Sequence, residues 1–388
     1  LATVGPFSID TYLPALHAIG EELNATPLEV QQTLTAYMLP MGAMVLWHGA
    51  FSDAWGRKPV IVVSMLLFAL ASLVCVFAGS IETLLVGRAL QGISAGAGMV
   101  VGRAVVRDIM EGPRAQRLMS HVSMAFALGP AIAPILGGWI HTAFGWPAVF
   151  VFLALLGLAL AALSAWRLAE SHPVEARHPL HLRPLARRYR AVFASPGFLL
   201  LSIAVSLNFN GFFIYVLSAP VFLMRHLGLG ETEFGWMFIP GVIGMMAGSG
   251  LSARLAGRLS QARTIRLGFA LMLGAAGLNL AVSYLLPAGL PQSVLPIMAY
   301  NFGMAIAMPS LTLLALDYFP THRGLASSCQ SFVQMVISSV TAGIVAPALW
   351  GSVGSLAFGM TAMLLLGLAC FTAWWWFFHR RRHEAGPA

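Results

Sequence analysis

Long apolar runs alternate with short polar stretches along almost the whole chain. We identify twelve runs that can each cross a bilayer as an α-helix, which takes about 20 mostly apolar residues. These predicted spans, numbered 1 to 12 in chain order, cover residues 1–19, 30–51, 59–79, 82–106, 117–141, 147–168, 197–219, 233–254, 264–286, 293–317, 325–348 and 355–378. The pattern predicts an all-α polytopic membrane protein. Because the first run is already apolar at Leu1, we expect further residues upstream of it.

Basic residues are concentrated in the loops on one side of the predicted membrane. That side holds Arg57, Lys58, Arg107, Arg114, Arg117, Arg177, Arg183, Arg187, Arg188, Arg190, Arg258, Arg263, Arg323, Arg380, Arg381 and Arg382. The opposite loops hold Arg225 beside several acidic residues. Basic loops face the cytoplasm, so with an even number of spans both termini are predicted to be cytoplasmic.

Composition supports the membrane assignment and excludes several other classes. Of the 388 residues, 58% are hydrophobic and 9% charged, against about 25% charged in soluble proteins. The net charge of +8 is spread over many loops, so we expect the lipid bilayer and not nucleic acid as partner. The single lysine, Lys58, precedes Pro59, so no phosphate-binding loop for ATP is present. The three cysteines form no C-x-x-C motif, and we expect neither a metal nor a cofactor.

The loop between spans 6 and 7 divides the chain into two halves. We predict a six-helix bundle over 1–168, a basic cytoplasmic linker over 169–196, a second bundle over 197–378 and a cytoplasmic tail over 379–388. A weak repeat supports this division. Residues 49–57 read GAFSDAWGR and 250–258 read GLSARLAGR, each at the inner end of a span.

Four segments break the apolar pattern with charged, proline or glycine residues. Residues 49–59 read GAFSDAWGRKP, 88–92 read RALQG, 129–138 read GPAIAPILGG and 9–16 read IDTYLPAL. Ordinary loop charges, generic helix kinks and close helix packing are the structural alternatives for these segments. Residues 92–96 also match G-x-S-x-G, but a nucleophile elbow needs a strand-to-helix turn, so no enzyme is predicted.

Asp10 and Arg88 are charged residues inside predicted spans. Asp10 is the one carboxylate well inside a span, and because burial disfavours an ionised carboxyl group, it is a candidate proton carrier. An arginine within a span costs about 2.5–3.5 kcal/mol, so it usually faces a cavity or a partner. At ~1.5 Å per residue the two lie at similar depth, and we predict that they couple proton movement to transport. A structural aspartate and an arginine that reaches the outer surface are the alternatives.

The four segments resemble the Major Facilitator Superfamily, and within it the twelve-span drug:proton antiporters of the bicyclomycin/chloramphenicol-resistance branch. Residues 49–59 are similar to its signature loop, 88–92 to its R-x-x-Q-G segment and 129–138 to an element found in exporters. Residues 9–16, with LDYFP at 316–320, resemble that branch. The resemblance implies two pseudo-symmetric six-helix bundles around a central cavity, which work by alternating access. It also implies a monomer in the bacterial inner membrane.

The resemblance assigns further residues to gating and to substrate binding. The gating candidates are Gly49, Asp53, Gly56, Arg57, Asp108, Gly129, Pro130, Gly137 and Gly138. Polar or aromatic residues in the cavity-lining spans are the substrate-binding candidates, namely Tyr12, Tyr37, Asn208, Asn210, Phe213, Tyr215, Tyr300, Asn301, Gln330 and Gln334. For any one of these, a hydrogen bond between helices is the alternative role.

The sequence therefore predicts a secondary transporter that exports drug-like small molecules in exchange for protons. Two alternatives stay open at this point. One is a proton-coupled transporter of a specific metabolite on the same fold, and the other is a non-transporting membrane receptor. A receptor would not need both Asp10 and Arg88 inside the membrane.

Overall fold

Helices make up 85% of the structure, as the apolar runs predict. The computed structural model describes residues 1–110, 112–177 and 182–379, and this part of the chain contains no strand. The arginines at 380–382 and most of the predicted tail lie outside the described residues. The all-α fold class is confirmed.

The predicted spans correspond to helices whose ends differ from the prediction by a few residues. Spans 2 to 6 are Pro27–Trp55, Arg57–Val76, Ile81–Ile109, Gly112–Phe144 and Pro147–Arg167. Spans 7 to 12 are Pro196–Leu217, Gly235–Leu255, Gln261–Leu285, Leu295–Leu316, Arg323–Val340 and Val353–Trp374. Short π-helical turns follow spans 7, 11 and 12 at Val221–His226, Thr341–Val345 and Trp375–His379. One amphipathic helix, Leu182–Phe193, lies in the predicted linker and is called the linker helix below.

Span 1 is not the continuous helix that we predicted over 1–19. It consists of the helix Val4–Asp10, a 3₁₀ turn at Leu13–Ala15 and the helix Leu16–Glu22. Pro14 lies within the 3₁₀ turn, where it has no backbone N–H to donate and its ring opposes a continuous helix. The break follows Asp10 directly.

Nine helices among the described residues are long and apolar enough to cross a membrane. They correspond to spans 3, 4 and 6 to 12. The other three predicted spans are helical too, but span 1 is broken, and spans 2 and 5 are long helices that carry more polar residues. The chain is therefore a multi-pass membrane protein.

The structure divides into two compact units. The first comprises Leu1–Leu182 with Leu229–Phe238, and the second comprises Arg183–Gly228 with Ile239–Ala388. Helix partners correspond between the units. Spans 3 and 4, 3 and 6, and 1 and 5 pack together in the first unit, as spans 9 and 10, 9 and 12, and 7 and 11 do in the second. The exact domain bounds given above stay a prediction.

Candidate functional site

Arg88 is fully buried in span 4 and is surrounded by aromatic rings and backbone. Its guanidinium carbon lies 4.8 Å from the centre of the Tyr12 ring and 4.4 Å from that of Tyr37. Its Nη1 donates to the backbone oxygen of Ser8 at 3.0 Å and to Gln91 Oε1 at 2.8 Å. Aromatic faces attract a cation most strongly where water is excluded. Two aromatic faces, a backbone oxygen and an amide oxygen therefore surround the buried charge of Arg88.

The guanidinium of Arg88 retains unused donor capacity. Within the described part of the chain, its Nε and Nη2 have no hydrogen-bond partner. A buried charge with unsatisfied donors is costly, so the site favours an anion or another acceptor.

Asp10 is buried in the segment of span 1 that contacts this arginine, but the two are not paired. Its exposure is 4%, and Arg88 contacts Ser8 and Tyr12, two positions before and after it. No ion pair within 4.0 Å joins Asp10 to Arg88 among the described residues. The structure thus brings the two predicted residues to one region and separates their charges.

In the span 5 segment, atoms of span 1 approach two glycines very closely. A Cβ on Gly137 would overlap the backbone of Thr11, which lies in the break of span 1. A Cβ on Gly129 would lie 2.9 Å from Pro6 Cβ. Because of these glycines, span 5 packs directly against the backbone of span 1. Pro130 lies inside the continuous span 5 helix, one residue after Gly129.

The C-terminal part of span 5 also packs against the segment Leu229–Phe238. A Cβ on Gly138 would overlap the backbone of Glu231. The Glu231 carboxylate lies 3.3 Å from His141 Nε2 and 3.5 Å from Thr142 Oγ1. Small residues and polar contacts thus hold this segment on the first unit.

The loop between spans 2 and 3 gathers the predicted gating charges. Arg57 Nη1 donates to Asp53 Oδ1 and, at 2.6 Å, to Ser52 Oγ. Its Nε donates to Asp108 Oδ2 at 3.0 Å, at the C-terminal end of span 4. The side chain of Asp53 is 55% exposed and that of Asp108 24% exposed, whereas Arg57 is 9% exposed. The structure therefore brings together all three charged residues that the sequence predicts here.

Glu170, which the sequence did not single out, completes this cluster. Its Oε1 accepts the backbone N–H of Arg57 at 2.9 Å and its Oε2 that of Lys58 at 3.3 Å. These N–H groups lie in the first turn of span 3, where no intrahelical acceptor exists. Gly56 adopts a φ of +102°, and a Cβ there would lie 2.5 Å from Glu170 Oε2. Position 56 therefore requires a glycine, both for its positive φ and to leave room for the Glu170 carboxylate that caps span 3.

Gly49 has a different environment from the other predicted gating glycines. The nearest atom to a Cβ at this position would be Val100 Cγ1, at 3.9 Å. Its backbone oxygen accepts the Ser52 hydroxyl at 2.9 Å. A side chain would fit at Gly49, so the structure gives no steric reason for a glycine there.

In the second unit, span 11 presents a polar stripe. Ser327, Gln330, Gln334 and Ser338 follow one another at spacings of three and four residues, so they share one helix face. Gln330 Nε2 lies 3.5 Å from Thr312 Oγ1 on span 10. Asn210 Nδ2 on span 7 donates to Ser338 Oγ at 3.1 Å, and its Oδ1 has no partner among the described residues. Such a stripe is expected where a membrane helix borders a polar space.

Three other substrate-binding candidates make hydrogen bonds between helices. Tyr215 Oη accepts from Asn279 Nδ2 at 2.8 Å, and Tyr300 Oη donates to the backbone oxygen of Asn208 at 2.8 Å. Asn301 Nδ2 donates to the backbone oxygen of Gly241 at 3.2 Å. In this structure these three side chains therefore make hydrogen bonds between helices, which is the alternative to substrate binding given for them above.

Two further candidates in span 7 are also buried. The Asn208 amide points at Gly367 of span 12, where a Cβ would overlap its Oδ1. Phe213 packs its ring 5.2 Å from that of Phe209, centre to centre. Neither observation tests a role in substrate binding, which stays a prediction for the whole set.

His48 is a second residue that sequence reasoning missed. It is buried in span 2 with its Nδ1 unpartnered among the described residues, and this atom would lie 3.3 Å from a Cβ on Gly96 of span 4. The sequence could have indicated His48, because a histidine within an apolar run is a visible exception to the pattern. Glu170 gives a weaker signal, since it resembles any loop glutamate.

Comparison with known proteins identifies the family. The family model described as Major Facilitator Superfamily matches residues 1–342. The chain belongs to this superfamily. It is therefore a membrane transporter and not an enzyme.

Members of the superfamily named for drug resistance are similar over nearly the whole chain. The bicyclomycin resistance protein homolog of Haemophilus influenzae is 28% identical over 96% of this chain and 93% of its own. Multidrug resistance protein D of Escherichia coli is 28% identical over 100% and 96%. Multidrug resistance protein MdtL of Escherichia fergusonii is 30% identical over 88% and 85%. The resemblance to this branch is confirmed.

Solved structures of transporters share the fold. A D-xylose-proton symporter superposes with a TM-score of 0.74 at 16% identity, over 96% of this chain and 95% of that one. A human organic anion transporter gives a TM-score of 0.69 at 19% identity, over 96% of each chain. At these identities the likeness concerns the major facilitator fold alone.

Proposed function

We propose that this transporter exports drug-like small molecules across the bacterial inner membrane by proton antiport, with both termini in the cytoplasm. The observation that carries the proposal is the position of Asp10. It is a buried carboxyl group at the break in span 1, and the helix segment that it ends is bonded through Ser8 to Arg88. The drug-resistance relatives support export of drugs as the direction and substrate class.

Two charge states of Asp10 would favour two arrangements. An ionised Asp10 carboxylate is attracted to Arg88, whose Nε and Nη2 lack acceptors among the described residues. A protonated Asp10 loses most of that attraction. Protonation from the outside and release to the inside would thus alternate the two arrangements, and each charge moved contributes about 2.3 kcal/mol per 100 mV.

The inner charge cluster supplies the gate in this proposal. Arg57 is bonded to Asp53 and Asp108 and to the hydroxyl of Ser52, and Glu170 caps the helix that begins at Arg57. Releasing these contacts together would cost several hydrogen bonds to charged groups. The cluster therefore favours one conformation until substrate or proton binding offsets that cost.

The test is substrate-induced proton movement in proteoliposomes. Wild-type protein, reconstituted with an imposed pH gradient, should move protons when bicyclomycin or ethidium is added, and should accumulate the compound against its gradient. Asp10→Asn should abolish both responses while retaining compound binding. Glu82→Asn, an exposed carboxylate at the outer end of span 4, is the matched control and should behave as wild type.

Two results would overturn the proposal. If Asp10→Asn moves protons as the wild type does, Asp10 is not the carrier. If the wild type moves neither compound but responds to one metabolite, the superfamily fold serves a specific transporter and drug export is wrong.

A further inference from the structure

The linker helix combines a basic face with an apolar face. Leu182–Phe193 reads LRPLARRYRAVF and contains Arg183, Arg187, Arg188 and Arg190 with no acidic residue. All four arginines are exposed. Leu185, Tyr189 and Val192 follow at spacings of four and three, so they share one face, where Val192 is 2% exposed. This is the pattern of a helix that lies in a membrane interface.

Contacts within the second unit anchor the end of this helix. The ring of Phe193 packs edge-on against that of Phe332 on span 11, with centres 5.7 Å apart. Span 7 begins at Pro196, three residues after the linker helix ends. The helix therefore stays close to the membrane end of span 7 and is not free to extend into the solvent.

Aromatic residues and an arginine lie together at this end of the second unit. Trp374 Nε1 donates to Tyr318 Oη at 2.8 Å, and a Cβ on Gly197 at the start of span 7 would overlap that hydroxyl. Arg266 lies 5.8 Å from the ring of Trp375. Tryptophan, tyrosine and arginine gather at the level of lipid headgroups. The linker helix thus ends within a few residues of that level.

Arg188 borders the apolar face, and Arg190 lies next to Phe193 at the end of the helix. Arg188 is three residues after Leu185 and four before Val192, and Arg190 is three before Phe193. Residues at these spacings are neighbours on a helix surface. With the apolar face toward lipid and protein, both guanidinium groups would come within reach of lipid phosphates, which guanidinium binds through paired hydrogen bonds.

We propose that the linker helix binds phosphate groups of anionic phospholipids in the inner leaflet, through Arg188 and Arg190. The inner leaflet carries the negative surface potential that attracts such basic segments. This lipid site is independent of the proposed drug and proton chemistry, since it uses none of those residues. Through its short connection to span 7, lipid binding would hold the inner end of that span in place.

The experiment measures which lipids the purified full-length protein retains. Protein reconstituted in an equimolar mixture of phosphatidylcholine and phosphatidylglycerol is released from nanodiscs and examined by native mass spectrometry. Wild type should retain mainly phosphatidylglycerol, and added salt should weaken this preference. Arg188→Gln/Arg190→Gln should reduce the preference on the order of tenfold, because each basic residue near the surface contributes to the attraction.

Two control variants separate the site from general charge. Arg258→Gln/Arg263→Gln removes the same charge from two exposed positions, one between spans 8 and 9 and one in the first turn of span 9, and should keep the preference. Arg188→Lys/Arg190→Lys keeps the charge and should retain most of the preference for phosphatidylglycerol. An unchanged preference in Arg188→Gln/Arg190→Gln would overturn the proposal, and so would equal losses in both glutamine pairs. Displacement of phosphatidylglycerol by an equal concentration of inorganic phosphate would also overturn it, since the site would then bind soluble anions.

Discussion

The Glu170 carboxylate accepts the backbone N–H of Arg57 at 2.9 Å, so a loop residue after span 6 caps the first turn of span 3. The same glutamate accepts from Lys58 and lies 3.7 Å from Arg177 Nη2. The start of the linker is thereby fixed to the turn that carries the gating charges. Movement of one requires movement of the other or loss of the cap.

Glu170→Ala should therefore destabilise the protein. Loss of a helix cap costs about 1 kcal/mol, and here an ion pair is lost as well. We expect a lower Tm of the purified protein and a slower efflux. Glu175→Ala, an exposed carboxylate in the same loop, should leave Tm unchanged. Equal Tm values for the two variants would contradict the capping role.

Asp53→Asn should slow efflux without preventing substrate binding. The substitution removes one of two carboxylates that accept from Arg57, while Asp108 at 3.0 Å remains. A several-fold loss is expected, and Asp53→Asn/Asp108→Asn should lose more than either single variant. Efflux of ethidium and equilibrium binding are measured on the same preparations. Wild-type efflux by a well-expressed double variant would exclude a gating role.

Arg88→Lys should lose most transport although the charge is kept. A lysine ammonium has no planar surface to pack between the rings of Tyr12 and Tyr37, and it cannot reproduce the bonds to Ser8 and Gln91 in the same geometry. We expect a loss of tenfold or more in the efflux rate, measured in proteoliposomes. Arg107→Lys, exposed at the inner end of the same span, is the control. If Arg88→Lys transports normally, only the charge matters at this position.

Gly137→Ala should destabilise the first unit. The added methyl group overlaps the backbone of Thr11, and overpacking of this kind costs about 1–3 kcal/mol. Gly274→Ala in span 9 is the matched control, because a Cβ there has no atom within 4 Å among the described residues. Thermal unfolding of both variants is compared with wild type. A stable and active Gly137→Ala variant would show that spans 1 and 5 separate easily.

The orientation of the chain is tested by cysteine labelling. In a variant without the three native cysteines, Arg225→Cys should react with an impermeant reagent in intact cells and Arg187→Cys should not. Both positions are exposed in the structure, so reactivity depends on the side of the membrane and not on burial. Labelling of Arg187→Cys would place the basic loops outside and reverse the predicted topology.

The sequence predicts the helical part of this fold well, because lipid-facing helices must be apolar over a fixed length. The family resemblance also implies the grouping of Asp53 and Arg57, in the turn after span 2, with Asp108 at the end of span 4. The sequence does not predict the break in span 1, although Pro14 marks it, because apolar residues continue on both sides of the proline. Nor does it predict the partners of Tyr215 and Tyr300, since hydrophobic periodicity is weak in helices that are apolar on every face.

Span 1 is built from two helices of seven residues each. Helices of this length do not hold their shape alone and depend on what surrounds them. The orientation of Asp10, the last residue of the first segment, is therefore set by span 5 and span 4 more than by its own helix. A small tilt of either neighbouring span would therefore reorient Asp10, because its own short helix does not resist the movement.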